Sequence, residues 1–516
     1  MSVDVAESPD PSEVTSGRLM RSTLVNGLAN ATTALVTAAL TPFLLRRLGA
    51  EEYGLWLLAL SLTFSSGYLA LADLGLPEAA IKFIAEARAV GDRQLVNEIA
   101  STTLAAFAVI GVAIGLLLAG LAAALVGVFG VRPDLVGTAR LLFVLMALEI
   151  VIDLPAAGLR AVIEGAQRYA WLRVLDVGAR LLWGGLTVGA VVRGHGVVAL
   201  GALTIAITAA EALVTLIVAR RVQPGLRLRP RLVTRRTLRR TLRFGSFVGG
   251  LRALSVVYSQ MDRAIVGIVV GVAAVATYEV AFRIQSLATL ALVMASSAVL
   301  PAAAYNAARA DTDKQRELYL RGTKYAVAIA SPITLAALLY APPLIRAWVG
   351  APYVGVSNAA RLFLVFPLFA SFNQVGVAML IGLGRVKHVL LLQVLAVAIN
   401  LALSVVLARH FGITGVVTGT LVGGLIVWLP YVRLLLDAFA ITPRTWLGRI
   451  VRPNLPGPVA QVAIGLLTYR WAGDLRQLWQ VGIVYVASVG LSILVFAVLG
   501  LAAEERRHLA SRLRGG

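Results

Sequence analysis

Ten charged side chains stand inside long apolar stretches: Glu149, Asp153, Asp176, Arg180, Glu211, Arg252, Asp262, Arg263, Glu279 and Arg283. A charge at the centre of a bilayer helix costs about 2.5–3.5 kcal/mol on insertion scales, so one that is retained should pair or line an aqueous cavity. Asp176/Arg180 and Glu279/Arg283 are spaced i, i+4 with the acid first, the better order for an intrahelical ion pair. If both pairs close, they offer no net charge to a ligand. Arg252 has no acid one turn away, and Arg263 can use Asp262 or reach Glu279 across the 270–274 turn. The later segments thus hold three arginines against two acids, the earlier ones one arginine against four. That imbalance points to an anion-receiving group of Arg252, Arg263 and Arg283, with Arg180 and Gln260 counted with them. Arginine suits a phosphate because its planar fork gives paired hydrogen bonds and stays charged when desolvated. Glu149, Asp153, Asp176 and Glu211 are the candidates for a cation or proton site. Glu149 and Asp153 are like charges one turn apart, so one of them should carry a proton or hold a cation. The plainer reading is that Asp153, just before Leu154-Pro155, lies at the watery end of its helix.

The elements that position these residues are apolar segments. Hydrophobic residues make up 59% and charged residues only 14% of the 516, where soluble domains carry about a quarter charged residues. This is the composition of a polytopic membrane protein. Segments of roughly bilayer thickness fall near 22–45, 54–76, 99–129, 137–159, 171–192, 197–219, 244–270, 274–300, 323–348, 358–382, 388–408, 413–436, 457–472 and 479–501. About fourteen helices are expected, in an all-α architecture.

A net charge of +21 would suggest nucleic acid in a soluble chain, but basic loops on one membrane face account for it, and no aromatic residues interleave them for base stacking. No nucleic-acid partner is expected. The absence of cysteine removes disulfides and thiolate metal sites. His195, His388, His410 and His508 are placed in loops or the tail, so no histidine metal centre is expected within the membrane. No Walker loop, HExxH or catalytic triad pattern is present, so no cofactor is implied and the chain is not read as an enzyme. Energy would come from a sodium or proton gradient, the membrane potential or downstream consumption of the substrate.

Arg220 to Arg243 holds ten arginines, no acid and the breakers Pro224, Gly225 and Pro230. Lying between apolar segments, it marks the face that retains positive charge, and most of the 47 Lys and Arg fall on its side. That face is therefore expected to be cytoplasmic, with both termini inside. The organisation reads as a disordered tail (1–17), a six-helix lobe (18–220), the basic linker (221–243), a second six-helix lobe (244–437), two further helices (438–501) and a tail (502–516). The linker is expected to act as a hinge. Ala80 to Asn97 and Tyr305 to Lys324 read as amphipathic helices on the inner surface.

The lobes are repeats. LPEAA at Leu76–Ala80 is echoed by LPAAA at Leu300–Ala304, and GDRQ at Gly91–Gln94 by TDKQ at Thr312–Gln315. Tyr53 corresponds to Tyr278, and the turn Arg193 to Gly196 to the turn Arg409 to Gly412. Six crossings is an even number, so the copies run parallel, related by an axis along the membrane normal.

LRRLGAEEYGLWLLALSL (Leu45–Leu62) with LADLGLPEAAIKFIAE (Leu71–Glu86) resembles the opening of the polysaccharide-biosynthesis, O-antigen-type flippases of the multidrug/oligosaccharidyl-lipid/polysaccharide exporter superfamily. SQMDRAIVGIVVGVAAVATYEVAFRI (Ser259–Ile284) is similar to that family's seventh and eighth helices. The resemblance covers residues 20 to 440. It implies two six-helix lobes in a V around a cavity that opens alternately to each side. It also implies translocation of an undecaprenyl-diphosphate-linked oligosaccharide for a surface polymer such as lipopolysaccharide or exopolysaccharide. Cationic cavity residues near the diphosphate would correspond to Arg252, Arg263 and Arg283. Membrane lipids, and the glycosyltransferases and polymerase of a polysaccharide pathway, are the implied partners, and the bacterial cytoplasmic membrane the implied location. Two relatives remain open as alternatives: an ion-coupled antiporter of cationic drugs, which the four first-lobe acids favour, and a flippase of the peptidoglycan precursor. A membrane glycosyltransferase or polymerase would need a sizeable catalytic loop, which the short external connections do not supply.

Overall fold

Apolar runs of bilayer length leave the backbone no hydrogen-bond partner but itself, so they must fold as helices. A computed structural model describes residues 16–63, 67–296, 312–472, 475–502 and 505–507, and every regular element among them is helical. The main helices are α1 (Ser16–Leu60), α2 (Leu76–Ala89), α3 (Arg93–Val128), α4 (Val136–Gly165), α5 (Tyr169–Val192), α6 (Val197–Val222), α7 (Arg235–Ile265), α8 (Val272–Ser296), α9 (Thr312–Leu339), α10 (Ala341–Trp348), α11 (Ser357–Gly382), α12 (Val386–Ala438), α13 (Pro456–Ala472) and α14 (Leu478–Val495). Eight spans among the described residues are long and apolar enough to cross a membrane, and one of them, Lys387–Ala438, contains two of the expected crossings. Leu116, Leu467 and Val486 are among the large apolar side chains left exposed on these helices, as lipid-facing surfaces require. The chain is an all-α polytopic membrane protein.

The repeat is written into the backbone. Residues with positive φ recur at matching turns: Gly49 and Gly271, Gly130 and Gly350, Gln167 and Gly384, Gly194 and Gly412, Gly225 and Ala440. Gly49 (φ 79°, ψ 171°) breaks α1 into two crossings, and Gly271 (φ 122°, ψ 165°) makes the equivalent turn between α7 and α8. Only glycine adopts such a conformation at no steric cost.

Several expectations are corrected. The segment 54–76 is discontinuous: its helix stops at Leu60, and the chain resumes as a 3-10 turn at Tyr68–Asp73. Helix α4 continues past residue 159 to Gly165. His388 and His410 lie within α12, in its first turn and just before its kink at Gly412. The linker is no free hinge, because its backbone is fastened along the start of α3. Arg227 N–H donates to Asn97 (3.0 Å), Arg229 N–H to Ser101 (3.2 Å) and Thr234 N–H to Thr102 (3.3 Å). Glu98 accepts from the hydroxyls of Thr234, at 2.6 Å, and Thr237. The inner-surface helix expected at Ala80 to Asn97 is matched by α2, which buries Ala80, Phe83, Ile84 and Ala87 and exposes Lys82, Glu86 and Arg88. Most of both tails, the LPAAA segment and residues 305–311 lie outside the described residues.

The two halves meet most firmly on the face opposite the linker. A continuous apolar cluster there includes Leu55, Leu58 and Phe129 from the first half and Val266, Val272, Tyr278 and Phe363 from the second. Trp348 Nε1–H donates to the Ala38 carbonyl at 3.0 Å, tying α10 to α1. Outside the membrane segments, Glu505 receives the Lys324 ammonium (2.6 Å), the Tyr325 hydroxyl (3.1 Å) and the Ala502 N–H (2.8 Å). Burial alone would raise that carboxyl, but these donors outweigh it and hold it below its ordinary value.

Glycine permits the closest approach of the halves. A Cβ on Gly54 would stand 2.1 Å from the Val272 carbonyl oxygen, whereas one on Gly120 would meet nothing within 4 Å. Gly54→Ala should therefore lower the thermal midpoint of the purified protein, as overpacking of roughly 1–3 kcal/mol would. Gly120→Ala should leave it unchanged or raise it, and thermal melts of the two variants beside the parent check this.

Candidate functional site

Three helices of the first half carry their polar residues at helical spacing on one face each. Helix α4 presents Glu149, Asp153, Arg160 and Glu164; α5 presents Arg173, Asp176, Arg180 and Trp183; α6 presents Thr204, Thr208 and Glu211. With Thr33 and Thr37 of α1 and Glu78 of α2 they enclose a cavity of about 650 Å³. Pro155 lies inside α4 between Asp153 and Arg160, where it removes a backbone hydrogen bond at the cavity wall. The α1 threonines satisfy their hydroxyls locally: Thr37 donates to the Thr33 carbonyl (2.7 Å) and Thr41 to that of Thr37 (2.9 Å). Trp183 stacks on Trp56 with ring centres 6.1 Å apart and donates to Thr204 at 3.1 Å.

Arg160 is the centre of the charge network. One guanidinium nitrogen contacts Asp176, and another donates to Glu211 at 2.9 Å. Arg173 reaches the other oxygen of Asp176 at 3.3 Å. The expected Asp176/Arg180 pair is thus replaced by bridges between helices. Once α4 extends to Gly165, Arg160 projects into the same space as Asp176 and supplies the neutralising charge. Arg180 is left exposed to the cavity, with no carboxylate in ion-pair range among the described residues. Glu149 and Asp153 also line the cavity, Glu149 only 2% exposed, and neither has an ion-pair partner among the described residues. Among the described residues, six carboxyl groups (Glu78, Glu149, Asp153, Glu164, Asp176, Glu211) face three guanidinium groups (Arg160, Arg173, Arg180). The cavity therefore has a formal charge of −3 if all are ionised.

The second-half residues form a separate cluster. Glu279, fully buried, is held by Arg283 from one turn along α8, as its spacing predicted, and by Arg263 of α7 at 2.9 Å. Arg263 also donates to Gln260 at 2.7 Å and lies over the Phe282 ring, 4.7 Å from its centre. Asp262 points elsewhere, accepting from Thr420 (2.7 Å) and Tyr278 (3.3 Å). Arg263, Arg283 and Gln260 thus sit together, but as a largely buried network and not as an open cationic wall. The Arg252 side chain lies outside the described residues.

Sequence reasoning missed Arg160, Arg173, Glu164 and Glu78. Arg160 and Glu164 continue the one-face spacing of Glu149 and Asp153 along α4, which was a readable signal.

Comparisons with known proteins bear on the family and the fold. A family model described as polysaccharide biosynthesis protein matches residues 19–307, and one described as MatE matches residues 251–406. No curated protein sequence matches the chain. Among solved structures, a lipid II flippase MurJ in an inward closed conformation superposes with a TM-score of 0.70 at 13% identity, covering 92% of this chain and 98% of that one. An inward-facing multidrug resistance MATE family transporter of the MOP superfamily gives 0.63 at 19% identity, over 80% and 94%. A MOP superfamily transporter from Pyrococcus furiosus Vc1 gives 0.54 at 18%, over 81% and 95%. At these identities the likeness is one of fold.

Removing Arg160 should leave Asp176 and Glu211 facing each other across the cavity. Arg160→Met is expected to cost roughly 1–3 kcal/mol, a buried-pair loss discounted because both partners are about 28% exposed. Adding Asp176→Asn should recover part of it. Denaturation of the single and double variants reads the coupling, and strict additivity would show that the pair does not stabilise the fold.

Proposed function

The chain belongs to the polysaccharide biosynthesis protein family, whose model spans more than half of it, and from that premise we propose that it is a flippase. Its substrate is an undecaprenyl-diphosphate-linked oligosaccharide, moved across the bacterial cytoplasmic membrane by alternating access of the 18–220 lobe against the 244–437 lobe. The observation that carries this reading is a charged cavity of about 650 Å³ within helices of membrane length. It runs from Thr33 and Thr204 down to Glu78, Glu164 and Arg173 near the linker face. An apolar cluster from both halves closes the opposite face. A diphosphate and its sugars need such a polar path through hydrocarbon, while the polyprenyl chain can stay in lipid. With the arginine-rich linker on the cytoplasmic side, both termini are inside and this conformation faces inward.

Roles follow from pairing. Arg160 and Arg173 are occupied by Asp176 and Glu211. Arg180, which has no carboxylate in ion-pair range among the described residues, is the cation that can turn to a phosphate. Glu149 and Asp153, which lack an ion-pair partner among the described residues, form the site for the coupling sodium ion or proton. Their charge state then differs between the two faces of the cycle. The excess of acids over arginines in the cavity favours a second reading, an ion-coupled antiporter of cationic compounds, and the likeness to a lipid II flippase keeps a peptidoglycan precursor as an alternative cargo.

In a strain lacking the gene, an undecaprenyl-diphosphate oligosaccharide is expected to accumulate on the inner leaflet while surface polymer is lost. Chemical analysis of the accumulated species separates a polysaccharide unit from a peptidoglycan precursor, and unchanged pools with new sensitivity to cationic dyes would move the assignment to the antiporter. Complementation with Arg180→Ala or Arg283→Ala should fail at undiminished membrane abundance; full rescue by both would remove the anion-binding role. Glu149→Gln should change the dependence of export on sodium or pH, and an unaltered dependence would leave Glu149 a structural residue.

A further inference from the structure

The second half contains its own cavity, of about 230 Å³, between α7, α11 and α12. Its position is that of the first-half cavity carried through the repeat. The matching turns at Gln167 and Gly384 lie 384 − 167 = 217 residues apart. Adding 217 to five charged residues of the first cavity converts Glu149 to Phe366, Asp153 to Ala370, Arg160 to Val377, Asp176 to Gln393 and Glu211 to Trp428. All five of these products line the second cavity. One site has thus been built twice, once ionic and once neutral.

Among the described residues, none that lines the second cavity is charged. The rings of Tyr258, Phe366, Phe369, Trp428 and Tyr431 surround it, and its polar groups are the amides of Asn373, Gln374 and Gln393. The indole N–H of Trp428 is already given to the Phe369 carbonyl (2.9 Å), and the Tyr431 hydroxyl to that of Val389 (3.0 Å), so both side chains are fixed as ring faces. The amides are not so occupied. The Asn373 carbonyl oxygen, on a residue 7% exposed, has no hydrogen-bond partner among the described residues, and no partner among them is found for the side chains of Gln374 or Gln393. A buried amide left unpaired costs about 1–3 kcal/mol, so the Asn373 oxygen calls for water or for a ligand that supplies hydrogen bonds. Hydrocarbon would leave the amides unpaired, and an ion would find no counter-charge among the described residues.

We propose that this second-half cavity binds a neutral sugar ring of the transported glycan, stacking its C–H face on the aromatic rings and pairing its hydroxyls with Asn373, Gln374 and Gln393. Aromatic rings accept the apolar face of a pyranose, and amides offer both donors and acceptors to its hydroxyls. The volume is below that of pockets for drug-sized ligands, and suits a single ring. The charged first cavity then takes the diphosphate and the neutral second cavity the glycan, so the two halves divide one amphipathic headgroup between them. This rests on the flippase reading above.

The test is binding by the full-length protein in nanodiscs of two probes: undecaprenyl diphosphate, and the same lipid carrying N-acetylglucosamine. The parent should bind the sugar-bearing lipid at least about tenfold more tightly, a modest gain for a few well-formed hydrogen bonds. Gln374→Ala and Gln393→Ala should each erase most of that difference while leaving affinity for the bare lipid unchanged. Trp428→Phe, which keeps a ring in place, should reduce the difference less than Trp428→Leu. If the parent binds both lipids equally, or the glutamine variants keep the full difference, the sugar site is overturned and the flippase reading stands. Equal loss of affinity for both lipids in the variants would assign the cavity to the polyprenyl chain and also overturn it. If the parent binds neither lipid, the flippase reading and the sugar site fall together.

Discussion

The bridge from Arg160 to Asp176 and Glu211 is the interaction on which the first half depends. Ionised groups taken out of water lose several kcal/mol each, and only close, well-directed partners recover it. Three helices can carry acids on their inward faces because one guanidinium reaches two of them at once. The bidentate reach of arginine, which lysine lacks, makes this geometry possible. The same bridge fixes how α4, α5 and α6 are rotated, and so decides that Arg180 and the Glu149/Asp153 pair remain available. The second half repeats the device with two arginines on one buried Glu279. There the network is closed more tightly, and it lies on α7 and α8, apart from the α11 and α12 residues that form most of the second cavity.

The repeat makes the division of chemistry intelligible. Both halves place a hollow between equivalent helices, and the backbone turns that define the register recur in the same order along each copy. A cavity with unpaired charge is stable only if hydrated or occupied, whereas a neutral aromatic cavity needs partners only for its few amides. Divergence of the copies therefore gives one transporter two environments of different polarity at comparable depth. An amphipathic headgroup can be received in parts, without one pocket having to satisfy both its phosphates and its sugars.

Much of the fold was legible because hydropathy at bilayer length leaves helices as the only answer. The Glu279/Arg283 pair was legible for a similar reason: its partners are one turn apart on a single helix. What failed was anything set between helices. Asp176 was assigned to Arg180 by local spacing, but Arg160, on another helix, took it. Ending α4 at residue 159 hid Arg160 as a loop arginine, although Glu149, Asp153, Arg160 and Glu164 share a face. The second cavity was harder still to see. Phe366, Trp428, Gln374 and Gln393 look like ordinary contents of apolar helices, and only the three-dimensional register identifies them as counterparts of charged residues.

The linker that opens the second half is riveted to the first along Asn97, Glu98, Ser101 and Thr102. It is therefore fastened to the first half, and its arginines keep a fixed bearing relative to that half. Past Thr237 the contact continues, with Arg240 paired to Glu86 (3.5 Å), Phe244 packed on Phe83, and Gly245 and Gly249 against the backbone of Leu74 and Gly75. An anionic lipid headgroup held by these arginines would therefore grip the first half through its own helices and the start of α7 together.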